Sequence, residues 1–447
     1  MPLSDIANVQ ISIADPAPTL PGLGLALLLA TVDAGQATAF GADRSTLLSA
    51  TAWQAQLTAL AFDSADAVWV AVSDFFGQQR KPRTLLLGRR LAPVAQVVDV
   101  TIAGFADGTY TFNVAGVAID VVIVGAGSIG DVVTASVSAI NGAALPLGIA
   151  VTAAPQDADK VRITSDNAGV PILVSVSSTG SAMTAATTTP NSGIAEDLAA
   201  IRAEDDSWYA LFADWRTTPE ILVAAEAIEP LEKIYIAQTD DAAANTAADT
   251  DVGTRLAELG YTRTALVYSS SDAQWVDGAL LGYMLPSTPG RETFANKTLA
   301  SVEGDVFSTT TNLLAKNYVW LERIAAFVPP RAVTRHGASV SGAWLDLLLL
   351  RDYLAQQLRI AAFEIASADL PYTDIGGSAA AAKVEQTIRD VASLTEAIDL
   401  DTLVVTTITK AEQTAGNRAA RKWAGIEFAF TATGRIHSLD ITGTIGQ

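Results

Sequence analysis

The chain has 447 residues, with 28 Lys+Arg against 48 Asp+Glu and no Cys. It therefore exceeds one ordinary domain, and disulfides, thiolate zinc sites and cysteine nucleophiles are excluded. A net charge of −20 repels a phosphate backbone and argues against a nucleic-acid partner.

Charged residues make up 17% of the chain and hydrophobic ones 50%. That balance suits a protein that covers much of its surface in an assembly, because obligate interfaces resemble domain cores cut in half. Only two histidines occur, His336 and His437, so a His-rich catalytic zinc is not expected. The opening segment "MPLSDIANVQISIADPAP" lacks a basic n-region and a long apolar h-region, so it does not read as a signal peptide. Apolar runs such as "GLGLALLLATV" are about half the roughly 20 residues a membrane span needs. The expectation is a soluble protein made in a cytoplasm, with no membrane partner.

In chain order, residues 6–13 alternate: Val9, Ile11 and Ile13 on one side, Asn8, Gln10 and Ser12 on the other. This is a half-buried strand, cut off from the rest by Pro16, Pro18 and Pro21. Such a strand cannot bury its face alone and needs a sheet edge elsewhere. Residues 24–92 read as strand, helix, helix, strand, with "STLLSATAWQAQLTALA" and "DAVWVAVSDFFGQQ" as the helices.

Between 95 and 193 the composition turns to Thr, Val, Ser, Gly and Ala, and six short strand candidates are separated by turn residues. Only "IGDVVTASVSAINGA" looks helical there, and "TGSAMTAATTTPNSG" at 179–193 reads as a polar linker. From 194 to 290 strands and helices alternate, the pattern of a parallel sheet with helices on its faces. Beyond 300 come two long helices at about 341–367 and 379–398, then the strand "LVVTTIT". The chain closes on two more strands, one with Phe428 and Phe430, the other with His437, Leu439, Ile441 and, near the end, Ile445.

The expected organisation is an N-terminal strand arm (1–20), a discontinuous α/β domain (21–94 and 194–300), an inserted β-rich peripheral domain (95–193), a C-terminal α+β domain (301–425) and a C-terminal strand arm (426–447).

The chemistry-bearing patterns are weak. Gly125, Gly127 and Gly130 keep the G-x-G-x-x-G spacing of a dinucleotide-binding turn after an apolar run. The acid expected about 20 residues on is missing, since none lies between Asp131 and Asp157, and the preceding strand looks like half of an antiparallel hairpin. A strand-to-helix turn is the simpler reading; a dinucleotide-dependent oxidoreductase is the alternative it leaves. "HGASVSG" at 336–342 lacks the second Gly of a nucleophile elbow around Ser339. "DTDVG" at 249–253 starts like a calcium loop, but its twelfth position is Gly260, so helix capping fits better. No catalytic, cofactor or metal residue is assigned. Arg418, Arg421 and Lys422 form the basic cluster of the C-terminal part, read either as a solvated loop or as an inter-subunit charge contact with this acidic protein's own surface.

Several dispersed segments, in order, resemble the tail sheath proteins of contractile-tailed bacteriophages: "LSDIANVQISI", "LFADWRTTPEILVAAEAIE", "KIYIAQTDD", "GYTRTALVYS", "WVDGALLGYMLPSTPGRETFANKTLASV", "LPYTDIGG" and "GRIHSLDITGTIG". The likeness covers the N-terminal arm and most of 194–447. It implies a discontinuous α/β core with a peripheral insert, assembling as six-fold rings stacked in a helix around a tail tube. The partners it implies are other copies of the chain, the tube protein, and baseplate and tail terminator proteins, in a virion tail assembled in the host cytoplasm. It also implies that strands at about Ile6–Ile13 and Phe428–Ile445 reach neighbouring subunits and complete a sheet there. A secreted or surface-layer β-rich lattice protein is a third reading; the absence of an export signal counts against it.

Overall fold

The computed structural model describes residues 23–435. The chain enters on β1 (Ala26–Thr31), then α1 (Ala34–Phe40), β2 (Ser45–Ser49), α2 (Trp53–Ala59), α3 (Ala67–Phe76) and β3 (Thr84–Arg90). β1 and β3 are parallel, and β2 pairs antiparallel with β3 at the sheet edge.

Two sequence expectations change here. Ser45–Ser49 is a strand and not the start of a helix, because a β-edge takes up "STLLS" before Ala-rich sequence begins the helix at Trp53. α1 was not anticipated; Asp33 and Gln36 form a capping box that starts a short helix in a stretch with little hydrophobic periodicity.

The insert follows as β4 (Val97–Ile102), β5 (Gly108–Val114), β6 (Val117–Ile123), α4 (Ile129–Asn141), β7 (Val151–Asp157), β8 (Lys160–Ser165), β9 (Val174–Ser178) and β10 (Met183–Thr189). Its strands form two sheets, ordered β10-β4-β8-β7 and β6-β5-β9. Inward residues alternate along the strands, and Val98, Val100, Tyr110, Phe112, Ile119, Val121 and Val161 meet Val132, Val133 and Ile140 of α4 in one core. β5 and β6 are joined by Ala115 and Gly116, both at positive φ (51° and 84°), as a tight hairpin turn requires. The stretch read as a polar linker contains β10, which pairs antiparallel with β4. Met183 and Ala185 pack inward while Thr184 between them faces out, so a threonine-rich segment serves as a half-buried strand.

The chain then returns through α5 (Ile194–Glu204), β11 (Ala210–Ala213), α6 (Thr218–Ile228), β12 (Ile234–Thr239), α7 (Val252–Glu258), β13 (Thr264–Tyr268), α8 (Val276–Met284), α9 (Thr311–Ala315), β14 (Val319–Ile324) and β15 (Arg331–Arg335). One eight-stranded sheet results, ordered β15-β14-β13-β12-β11-β1-β3-β2, parallel from β3 to β14. β14 and β15, from beyond residue 300, extend this sheet.

The central strands are buried along their length, apart from Thr31 at the end of β1, as strands covered on both faces must be. Ala26, Leu28 and Ala30 face one layer, with Leu57 of α2, Phe75 of α3 and Leu280 of α8. Leu27 and Leu29 face the other, with Leu198 of α5, Ile221 of α6 and Leu256 of α7. α3 and α8 approach closely because Gly282 has no side chain: a Cβ there would fall on the main chain of Phe75.

The C-terminal part consists of α10 (Leu345–Ser367), α11 (Asp374–Thr395), β16 (Ile398–Thr407), α12 (Ala415–Ala419) and β17 (Ile426–Ala432). Leu350, Leu354 and Leu358 of α10 pack with Ile388 and Val391 of α11 and Ile398 of β16. A buried ion pair clamps this unit to the large sheet. Arg263, one residue before β13, reaches Asp352 of α10 at 2.9 Å, and the Tyr209 hydroxyl donates to the same carboxylate at 2.8 Å. The architecture is thus mixed α/β with several sheets, as the sequence suggested.

Candidate assembly interface

Of the predicted arm residues, Val9, Ile11, Ile13, His437, Leu439, Ile441 and Ile445 lie outside the described residues. Phe428 and Phe430 are placed on β17, which pairs antiparallel with β16 of the same chain, Val405 opposite Phe428 and Thr407 opposite Ile426. Their rings stack with centroids 6.0 Å apart and lie, half-buried, with Leu403 and Val405 against α10 and α11. The other face of the hairpin carries Val404, Glu427, Ala429 and Thr431, all exposed.

Among the described residues this sheet has two strands only, so both of its edges are free of strand partners. A two-stranded ribbon with one apolar face and two open edges is a template for further strands. A residue-register break between Asp399 and Val404 bends the β16 side of it. Sequence inspection treated β16 as an ordinary strand and did not identify this ribbon; the signal available was a strand of alternating Leu403 and Val405 followed, after a polar connection, by a strand with the same alternation at Phe428 and Phe430.

Between the two strands, the structure brings Arg418, Arg421 and Lys422 onto one loop and adds Lys410, which sequence reasoning had not grouped with them. All four are exposed, and none forms an ion pair among the described residues. The loop is anchored firmly. Trp423 lies over Gly377 of α11, where a Cβ would collide with its ring, and its indole N–H donates to Thr407 Oγ1 at 3.0 Å. Tyr372 meets Trp423 edge-on at 5.3 Å and donates its hydroxyl to the Lys422 carbonyl. Gln413 donates to the Ala424 carbonyl at 2.7 Å, the Lys410 N–H donates to Asp374, and Arg418 caps the carbonyls of Ala411 and Gln413.

Acidic groups gather elsewhere, where β12 and β13 end. Asp240 and Asp241 follow β12; Ser270, after β13, donates through its N–H and hydroxyl to Asp305; Gln274 exchanges hydrogen bonds with the Glu303 main chain. Burial, then the carboxylates of Asp305, Asp240 and Asp241, holds the Tyr268 hydroxyl above its ordinary pKa. Arg216 stands beneath this rim, but its guanidinium is spent on the carbonyls of Ser271 and Gln274. Burial pushes Arg216 down, against Asp277, Asp240 and Asp272.

The glycine turn at 125–130 does not offer a phosphate cradle. The Gly125 N–H donates to Asp107 at 2.7 Å, and the N–H groups of Gly127 and Ser128 donate to Asp131 at 3.0 and 2.9 Å. Carboxylates therefore occupy the donors a pyrophosphate would need and would repel it. The strand before the turn is β6, antiparallel to β5, not the first strand of a parallel unit. The alternative dinucleotide-binding reading of Gly125, Gly127 and Gly130 is thereby corrected.

Asp251 caps α7, accepting from the Thr254 N–H at 3.1 Å, and also binds Lys316 and Tyr318. Ser339 is buried in a turn, its hydroxyl 3.1 Å from Ser341 Oγ. Among the described residues no group of three or more His, Asp or Glu could hold a metal ion, and no helix is long and apolar enough to cross a membrane.

No family model matches the sequence, and no curated protein matches it either. Two solved structures resemble the fold. A chain of the six-fold symmetrised baseplate of the anti-feeding prophage superposes with a TM-score of 0.42 at 10% identity, over 56% of this chain and 72% of that one, too loosely to carry weight. A chain of the anti-feeding prophage helical sheath in its contracted state superposes with a TM-score of 0.52 at 11% identity, over 98% of this chain and 96% of that one. The chain therefore has, over essentially its whole length, the fold of a contractile helical sheath subunit.

Proposed function

We propose that this chain is the subunit of a contractile tail sheath, polymerising as six-fold rings stacked helically around a tail tube and contracting during host penetration. The observation that carries this reading is the β16–β17 ribbon, with both edges open among the described residues, on a body with a sheath-subunit fold. Strands at Ile6–Ile13 and toward Ile445, donated by neighbouring copies, would extend the ribbon and leave no open edge. Since Phe428 and Phe430 already pair within their own chain, the exchanged C-terminal element is the part beyond Ala432.

An eight-residue strand spans roughly 26 Å, enough to cross between subunits. Burying three or four Val or Ile side chains contributes on the order of 1.5–3 kcal/mol each before ordering costs. Each body stays rigid through its clamped core while the connections swing, so contraction is a repacking of rigid subunits from an extended lattice to a compact one. The further partners are the tube protein, baseplate proteins and a tail terminator, in a virion tail assembled in the host cytoplasm. The insert at 95–193 forms the outer surface.

Deletion of Met1–Pro16 tests this reading. The truncated chain should remain folded and soluble and form no tubes, while the full chain forms them. Normal tubes from the truncation would refute strand exchange as the connecting device.

A further inference from the structure

Lys410, Arg418, Arg421 and Lys422 project from a loop pinned by Trp423, Tyr372 and Gln413, within a chain of net charge −20. Of the chain's 28 Lys and Arg, many are matched to carboxylates on the same body, such as Arg80 with Glu292, Arg162 with Asp99 and Arg359 with Glu232. These four have no carboxylate partner among the described residues, though Arg418 donates to the carbonyls of Ala411 and Gln413 and Lys410 lies over the Tyr372 ring, and the one acid among them, Glu412, is engaged by the N–H and hydroxyl of Thr409. A solvated loop has no need of a tryptophan wedge; this one holds its unpaired charge in a fixed place.

The complementary surface is also on the chain. Asp240, Asp272 and Glu303 are exposed at the ends of β12 and β13 and have no ion-pair partner among the described residues. The rim lies at the strand ends of the eight-stranded sheet and the loop in the separate two-stranded unit, and among the described residues no ion pair joins them. A helical polymer needs two different patches on each subunit that fit one another, and each added copy brings further negative charge that must be offset.

We propose that the 410–422 loop is an inter-subunit docking surface whose partner is the acidic rim around Asp240, Asp272 and Glu303 of a second copy. This rests on the homopolymeric sheath reading. The loop joins β16 to β17, so docking it would also fix where the open ribbon edges are presented to incoming strands. Steering by such patches raises association rates and sets register, and it weakens with salt.

The test uses the full chain in three forms: parent, R421E/K422E, and R421E/K422E combined with D240K/D272K. Arg418 is left intact because it caps main-chain carbonyls. Polymer formation is followed by sedimentation and electron microscopy at low and moderate salt, with circular dichroism confirming that each form is folded. The expected result is a critical concentration for assembly at least tenfold higher in R421E/K422E, restored to within about threefold of the parent by the added rim reversal. Assembly of R421E/K422E like the parent overturns the proposal, and so does impairment that the rim reversal leaves uncorrected, which would assign the loop to another partner such as the tube. A parent that forms no ordered polymer defeats the sheath reading itself, and this inference with it.

Discussion

Replacing Asp352 by Asn tests the clamp between the large sheet and the helical unit that carries the ribbon. Asp352 accepts from Arg263 at 2.9 and 3.4 Å, from the Tyr209 hydroxyl at 2.8 Å and from Arg351 at 2.9 Å. The Arg263 and Asp352 side chains are 2% and 4% exposed. Burial, then Asp352, raises the Tyr209 hydroxyl well above its ordinary pKa, so it stays a donor. Asn keeps the shape but removes the carboxylate charge that Arg263 and Arg351 face inside the clamp. Loss of one partner from a buried pair costs about 3–5 kcal/mol. The exposed helical pair Arg389–Glu385, both side chains more than 40% exposed, provides the contrast: E385Q should cost no more than about 1 kcal/mol. Urea unfolding at concentrations where the chain is monomeric measures both. A D352N loss of less than about 1 kcal/mol, equal to that of E385Q, would refute the claim that this pair holds the two units together.

Three further outcomes follow from the packing and electrostatics. Gly282→Ala gains about 1 kcal/mol of helix propensity, yet its Cβ falls on the Phe75 main chain, so calorimetry should show a net loss of about 2–4 kcal/mol. Asp277 is fully buried, and burial lifts its carboxyl to about 7. Its stabilising contribution is complete below the unfolded value of about 3.9 and declines as pH rises through about 7. Asp277→Asn, which keeps an acceptor for the Gly278 N–H, should then stabilise the chain on the order of 2–4 kcal/mol at pH 8 and hardly at all at pH 4; equal effects at both would contradict the assignment. A thermal-shift titration with NAD, NADP and FAD should show no stabilisation, because Asp107 and Asp131 already occupy the turn's N–H donors.

The parallel sheet was readable because its strands are short, mostly apolar and separated by helices, as in "ALLLAT", "IYIAQT" and "TALVY". Edge elements were harder. "STLLS" and "MTAATTT" carry a weak hydrophobic signal because they bury one face only, and the strands they pair with, β3 and β4, determine their conformation. The second long helix begins at Asp374, five residues before the sequence suggested, because Thr373 caps it and Gly376 and Gly377 are tolerated where Pro371 and Trp423 press against them.

For the interface, the Arg418, Arg421 and Lys422 cluster was visible as local composition. Its anchoring was not, since Trp423 and Gly377 are distant in sequence. The Arg263–Asp352 clamp, 89 residues apart in the chain, likewise has no local signature. Positive charge in a row can be read from letters; where it is held, and what it is kept from pairing with, depends on tertiary contacts.

Electron microscopy of the purified full chain at high concentration is the most direct test of the account. Hollow, transversely striated cylinders with six-fold end views are predicted. Particles that stay separate and unordered at every concentration and salt would contradict it.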